Sequence, residues 1–266
     1  MPSDKRQRQR ENAAARAAAL RVANQRRANR RRAIVGGGAV VIVVGLIAVL
    51  IISSTGSSKK SSVSTATTLA TTATTAAPAP HTFGSGPCPK ADGSSPKTET
   101  FSAPPQRCID PTKTYTATMT TDAGAMTISL DATAAPVTVN NFVVLARYHF
   151  FDGLTFHRVI PGFVDQGGDP QGTGGGGPGY QFADELPASG AYKVGSLAMA
   201  NSGPNTNGSQ FFIIVGPQGA ALPPQYSLFG MVTSGIDAAH KIEADGTSGG
   251  TPKVVHKIVS VSITEQ

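Results

Sequence analysis

Residues 115–131 read YTATMTTDAGAMTISLD. Apolar side chains fall at every second position of YTATMTT (115–121) and again of AMTISLD (125–131), with Asp122-Ala123-Gly124 between them. Period-two alternation on both sides of a glycine turn predicts an antiparallel β-hairpin with one buried face. The next segment, APVTVNNFVVLARYHFFDG (135–153), changes period. Pro136 suits a first helical turn, Val139, Phe142, Val143 and Leu145-Ala146 recur at helical spacing, and Gly153 stops the run. Short runs rich in β-branched and aromatic residues follow: LTFHRVI (154–160), GFVDQ (162–166), VGSLAMA (194–200), SQFFIIV (209–215) and SLFGMVT (227–233). A second helix is expected over GIDAAHKIEAD (235–245) and a closing strand within KVVHKIVSVSITEQ (253–266). Helices do not alternate with strands, so a doubly wound sheet is disfavoured. The expected fold is mainly β: a closed, eight-stranded antiparallel barrel capped by two α-helices.

Upstream of this domain (113–266) the composition changes four times. Residues 1–32 carry eleven Lys/Arg against two acids, whereas the chain from Ser53 onward carries twelve against fourteen. The net charge of +7 therefore belongs to a short basic tail, and no nucleic-acid partner is expected. Residues 33–52, AIVGGGAVVIVVGLIAVLII, contain no charge. Twenty helical residues span about 30 Å, the thickness of a bilayer's hydrocarbon core. A transmembrane signal anchor is expected, with lipid bilayer as its partner. The arginines at 26, 27 and 30–32 hold the N-terminus cytoplasmic and place the C-terminal domain outside the cell membrane. Residues 53–87 are rich in Ser, Thr, Ala and Pro, poor in core-forming side chains, and read as a disordered stalk. A loop segment, 88–112, is bounded by Cys88 and near its end Cys108. In an oxidising compartment the two cysteines most simply form a disulfide; two free thiols are the alternative.

The chain offers little to conventional catalysis. GTGGGG (172–177) satisfies G-x-G-x-x-G, but Pro178-Gly179 follow where the dinucleotide motif needs a helix. No phosphate-binding G-K-[ST] run and no G-x-S-x-G elbow occurs, and the five histidines lack ligand spacing. Neither a metal nor a cofactor is expected, and His157 is read as structural. What stands out is uncharged polar chemistry beside Phe. The run 156–169 holds Arg158, Phe163 and Gln166, and the run 197–212 holds Asn201, Gln210 and Phe212. Strand alternation places Phe156, Arg158 and Ile160 on one face, and Gln210, Phe212 and Ile214 on one face. An Arg, two amides and two Phe suit an apolar residue within a peptide, not hydrolysis.

FHRVIPGFVDQGGDPQGTG (156–174) and MANSGPNTNGSQFFI (199–213) resemble the two signature blocks of the cyclophilins, the peptidyl-prolyl cis–trans isomerases. The resemblance covers roughly 113–266 and, in its anchored form, is similar to actinobacterial members. It implies proline-containing polypeptides as substrates, and roles for particular residues. Arg158 would reach the prolyl amide, with Gln166 orienting it and Gln210 lining the groove. Phe163, Val164, Phe212 and Leu222 would form the proline pocket, walled by Tyr226, and the Asn201 backbone would pair with substrate. Many family members carry a Trp where this chain has Ala221, a His at Tyr226 and a Met at Val164. The missing Trp implies weak or no cyclosporin binding. A degenerate cyclophilin that binds Pro-containing segments without turnover is the alternative.

Overall fold

The structure is a computed structural model that describes residues 81–266. The basic tail, the expected membrane segment and most of the expected stalk lie outside the described residues. No helix among the described residues is long and apolar enough to cross a membrane.

All eight expected strands form: β1 (Tyr115–Thr121), β2 (Gly124–Leu130), β3 (Arg158–Ile160), β4 (Val164–Gly167), β5 (Ser196–Met199), β6 (Phe211–Ile214), β7 (Leu228–Ser234) and β8 (Ile258–Glu265). The two expected helices are α1 (Pro136–Arg147) and α3 (Ile236–Ala244); a single turn, α2 (Pro217–Ala220), lies between them. The hairpin pairs Tyr115 with Leu130 through to Thr121 with Gly124, whose φ of 138° explains the glycine. The strands make one antiparallel sheet in the order β3-β4-β6-β5-β7-β2-β1-β8.

The expected closed barrel is not what the pairing gives. β3 and β8 remain edge strands, and no ladder joins them. Their neighbourhoods meet only through the isolated bridge of Thr155 with Lys257 and flanking bonds such as Phe156 N–H to His256 C=O (3.0 Å). The sheet is a curled half-barrel: β3 is only three residues long, and the backbone of its Val159 bonds to Gly250 C=O and Thr247 N–H rather than to β8. The same shortness corrects an orientation. Phe156 precedes β3, and its side chain is buried in the main core with Val159, not beside Arg158. Alternation holds only where the chain is extended.

Phe142, Phe151, Phe211 and Phe229 form the centre of that core, with ring centroids 4.9–5.9 Å apart in contacting pairs. Every residue of α1 is buried, although its sequence reads as amphipathic. The segment 81–112 covers part of it, and Glu185 caps its N-terminus, Oε1 accepting from Val137 N–H (3.0 Å) and Oε2 from Thr138 N–H (2.8 Å). Asn140 Oδ1 accepts from the backbone N–H of Cys108 (2.7 Å) and Ile109 (3.2 Å), and its Nδ2 donates to Gln106 C=O. Thr98 N–H donates to the Tyr148 carbonyl, and Phe101 packs against Tyr148, Phe150 and Tyr180. Cys88 and Cys108 form a disulfide with Cα atoms 5.4 Å apart. The last residues assigned to the stalk, 81–87, belong to this strap as well. Gly84 and Gly86 donate to the carbonyls of Pro105 and Pro104, and Arg107 lies over the Phe83 ring.

Candidate active site

Four strands bring one register row together on the outer face of the sheet. Arg158 on β3 opposes Gln166 on β4, Gln166 opposes Phe212 on β6, and Phe212 opposes Ala198 on β5. Directly opposed residues of antiparallel strands share a face, so this pairing alone aligns the guanidinium, the amide and the ring. The neighbouring row, Ile160–Val164–Ile214, adds apolar floor. Val164, Ala198, Phe212 and Ile214 are buried here with Tyr192 in a second apolar cluster, separate from the main core. Phe163, Ala200, Leu222 and Tyr226 pack against it while remaining partly exposed.

A cavity of about 170 Å³ opens over this cluster, lined by Arg158, Phe163, Val164, Gln166, Ala200, Asn201, Phe212, Leu222 and Tyr226. Eight of the nine residues named from the sequence for binding and catalysis therefore meet in one cavity. Gln210 lines the adjoining polar groove of about 510 Å³ and is joined to the cavity through Gln166. Ala200 was not anticipated. Its only sequence signal is its place beside Asn201, since a small side chain leaves no chemical mark. The cavity lies below the volume of ordinary small-molecule and cofactor sites, and fits a single apolar ring or side chain.

Its polar groups are fixed. Arg158 Nη1 donates to Gln166 Oε1 (3.1 Å), Gln166 Nε2 donates to Gln210 Oε1 (2.9 Å), and Gln210 Nε2 donates to the Gly176 carbonyl (2.9 Å). The guanidinium carbon of Arg158 stands 5.6 Å from the Phe163 ring centroid, a cation–π contact that holds the fork over the cavity mouth. Tyr226 meets Phe212 edge to face at 5.3 Å, and its backbone is secured by the Tyr192 hydroxyl, which donates to Tyr226 C=O (2.6 Å). Leu222 follows α2, where Gly219 packs too tightly against the Phe163 carbonyl to admit a Cβ. The Asn201 side chain is engaged with the Gln225 carbonyl and the Gly203 N–H, which shapes the loop around its backbone. His157 stands outside the cavity beside Gly174, and burial lowers its pKa so that the imidazole is neutral at neutral pH.

The inner face of β4 is a different place. Asp165 sits between Val159 and Ile213, fully buried, and neither carboxylate oxygen has a hydrogen-bond partner. Burial, with Glu243 adding to it, pushes its pKa up to about 8.

Residues 116–263 match the family model of cyclophilin type peptidyl-prolyl cis-trans isomerases. The chain is 44% identical to peptidyl-prolyl cis-trans isomerase A of Mycobacterium tuberculosis, covering 57% of this chain and 94% of that protein. It is 50% identical to peptidyl-prolyl cis-trans isomerase B of Bacillus subtilis over 44% of this chain and 82% of that one. With peptidyl-prolyl cis-trans isomerase-like 2 of Cryptococcus neoformans it shares 45% identity, spanning only 27% of that longer protein. Among solved structures, a cyclophilin type peptidyl-prolyl cis-trans isomerase of Cryptosporidium parvum superposes with a TM-score of 0.52 at 31% identity, covering 57% of this chain and 99% of that one.

Proposed function

Because the chain belongs to the cyclophilin-type peptidyl-prolyl cis–trans isomerase family, we propose that it isomerises X–Pro bonds of polypeptides in the cavity beneath Arg158. The observation that carries this reading is the register row that aligns Arg158, Gln166 and Phe212 on one face. Rotation about an amide is opposed by resonance, with a barrier of about 18–20 kcal/mol. X–Pro bonds consequently exchange over tens to hundreds of seconds unaided. No covalent bond needs to break, so neither a nucleophile nor a general base is required. The proline ring enters the apolar pocket of Phe163, Val164, Phe212 and Leu222, with Tyr226 at its wall. As the amide twists, its nitrogen becomes pyramidal and gains a lone pair able to accept a hydrogen bond. Arg158 supplies a rigid, permanently charged donor at that point, and Gln166 holds the fork in place. The Asn201 backbone pairs with the substrate chain, and Gln210 lines the path of the residues before proline. The Cryptosporidium parvum relative was also crystallised in the presence of the dipeptide Ala-Pro, a substrate fragment of the size this cavity suits.

The same proposal places the enzyme outside the cytoplasmic membrane, held by residues 33–52 with the basic tail inside, acting on proteins as they fold. The disulfide between Cys88 and Cys108 supports that setting, since such bonds persist in oxidising compartments. Ala221, next to the cavity residue Leu222, is exposed and brings no indole N–H, so weak or no cyclosporin binding is expected. The test is isomerisation of a short X–Pro peptide by residues 81–266, followed by exchange NMR. Acceleration supports the enzyme; peptide binding at the uncatalysed exchange rate would leave only a binding module. For location, protease added to intact cells should remove the domain and spare residues 1–32, and full protection of the domain would contradict the orientation.

A further inference from the structure

Asp169 lies two residues beyond β4, is 1% exposed, and does not line the cavity. Its carboxylate accepts from four backbone N–H groups of the glycine-rich loop. Its Oδ1 accepts from Gln171 N–H (2.7 Å), and its Oδ2 accepts from the N–H groups of Thr173 (3.0 Å), Gly174 (2.6 Å) and Gly176 (3.2 Å). Such a convergence needs backbone in the left-handed region, supplied by Gly172 (φ 63°) and Gly174 (φ 83°). It also needs a residue without a Cβ at 176, since a Cβ there would overlap Asp169 Oδ1. Burial opposes ionisation of Asp169, but the backbone donors from Gln171, Gly176, Gly174 and Thr173 outweigh it, and the carboxyl titrates below its ordinary range. With its N–H turned inward to Asp169, Gly176 offers its carbonyl to Gln210 Nε2.

A glutamine amide has two chemically different ends, so a fixed partner at one end dictates what the other end presents. Gly176 C=O takes the NH₂ of Gln210, which leaves Gln210 Oε1 facing Gln166. That oxygen takes the NH₂ of Gln166, which leaves Gln166 Oε1 facing Arg158. Were Gln210 free to turn over, Gln166 could turn with it and set NH₂ donors against the guanidinium. We propose that Asp169 is a positioning residue for isomerisation: by fixing the Gly176 carbonyl it sets the polarity of a two-glutamine relay and so holds Arg158 in register. This rests on Arg158 acting as described above.

The test is a double-mutant cycle on residues 81–266, with kcat and KM measured separately on an X–Pro peptide. Asp169→Asn replaces one acceptor oxygen by a donor and should lower kcat about tenfold, the scale of one lost hydrogen bond to a charged group, with KM within about twofold. In a Gln210→Ala background the relay is already cut, and Asp169→Asn should lower kcat no further. Losses that multiply would assign Asp169 a general structural role and overturn the proposal. Should Asp169→Asn fail to fold, side-chain amide NMR of the wild-type protein decides. The Gln210 Nε2 protons must exchange with solvent well below the rate of an exposed glutamine amide, and exchange at the exposed rate would overturn the relay. That spectrum is read whether or not the protein turns over, so a silent wild-type enzyme would remove the functional reading alone.

Discussion

Two adjacent residues of β4 carry polar side chains to opposite faces of the same sheet, and their circumstances differ completely. Gln166 faces outward, where every polar atom of its amide is engaged, between Arg158 and Gln210. Asp165 faces inward, among core side chains, with no partner for either oxygen. A buried polar group is stabilising only when its hydrogen bonds are met, and costs several kcal/mol otherwise unless it neutralises. The outer face of β4 is built for a ligand's chemistry, whereas the inner face bears a carboxyl that is held neutral. Function and stability are thus separable along one strand, and substitutions should part them.

The largest effect is expected at Arg158. Arg158→Ala should lower kcat/KM by roughly 10²–10³, the scale of removing one preorganised donor to a transition state, while peptide affinity changes little because the pocket remains. Steady-state kinetics paired with peptide titration by NMR separates the two. Phe212→Ala should act in the opposite sense, raising KM roughly 10–100-fold through 1.5–3 kcal/mol of lost apolar burial. A variant in which kcat alone fell would break the division between donor and pocket. Gln166→Ala should lower kcat about tenfold with the fold intact, as expected for one hydrogen bond to a charged group.

Asp165→Val sharpens the inner side of the comparison. The folded carboxyl titrates near pH 8 and an unfolded one near 3.8. Its protonated form is therefore the one that folding favours. The associated stability is fully present below about pH 4 and is lost as pH rises to about 8, at about 1.4 kcal/mol per pH unit in the limit of this one group. Removing the carboxyl should then raise Tm more at pH 8 than at pH 5, by a few degrees or more, with kcat/KM unchanged. Thermal unfolding across that range checks the sign, and a destabilised variant at pH 8 would contradict it.

The hairpin, both long helices and all eight strands were legible because hydrophobic period survives without tertiary context. The candidate site was legible for another reason: FHRVIPGFVDQ and NGSQFF resemble the signature blocks of a known family, and strand pairing then sets Arg158, Gln166 and Phe212 in one row. Three features were not. Phe156 points to the core because the chain is not yet extended there, a fact of backbone conformation rather than composition. The burial of α1 on all sides depends on loops remote in sequence: the strap of residues 81–112 meets Asn140, and Glu185 and Gly208 meet Val137, Thr138 and Asn141. Asp169 carries no local mark in the sequence, since a carboxylate that collects backbone donors is made by the fold of its loop.

The central claim is that Arg158 acts as a planar donor held in one orientation by Gln166, not merely as positive charge near the peptide. Arg158→Lys keeps the charge and discards the fork. In exchange NMR of an X–Pro peptide with residues 81–266, the Lys variant should bind peptide with near wild-type affinity and yet isomerise it at least about tenfold more slowly. Wild-type isomerisation by Arg158→Lys would contradict the account.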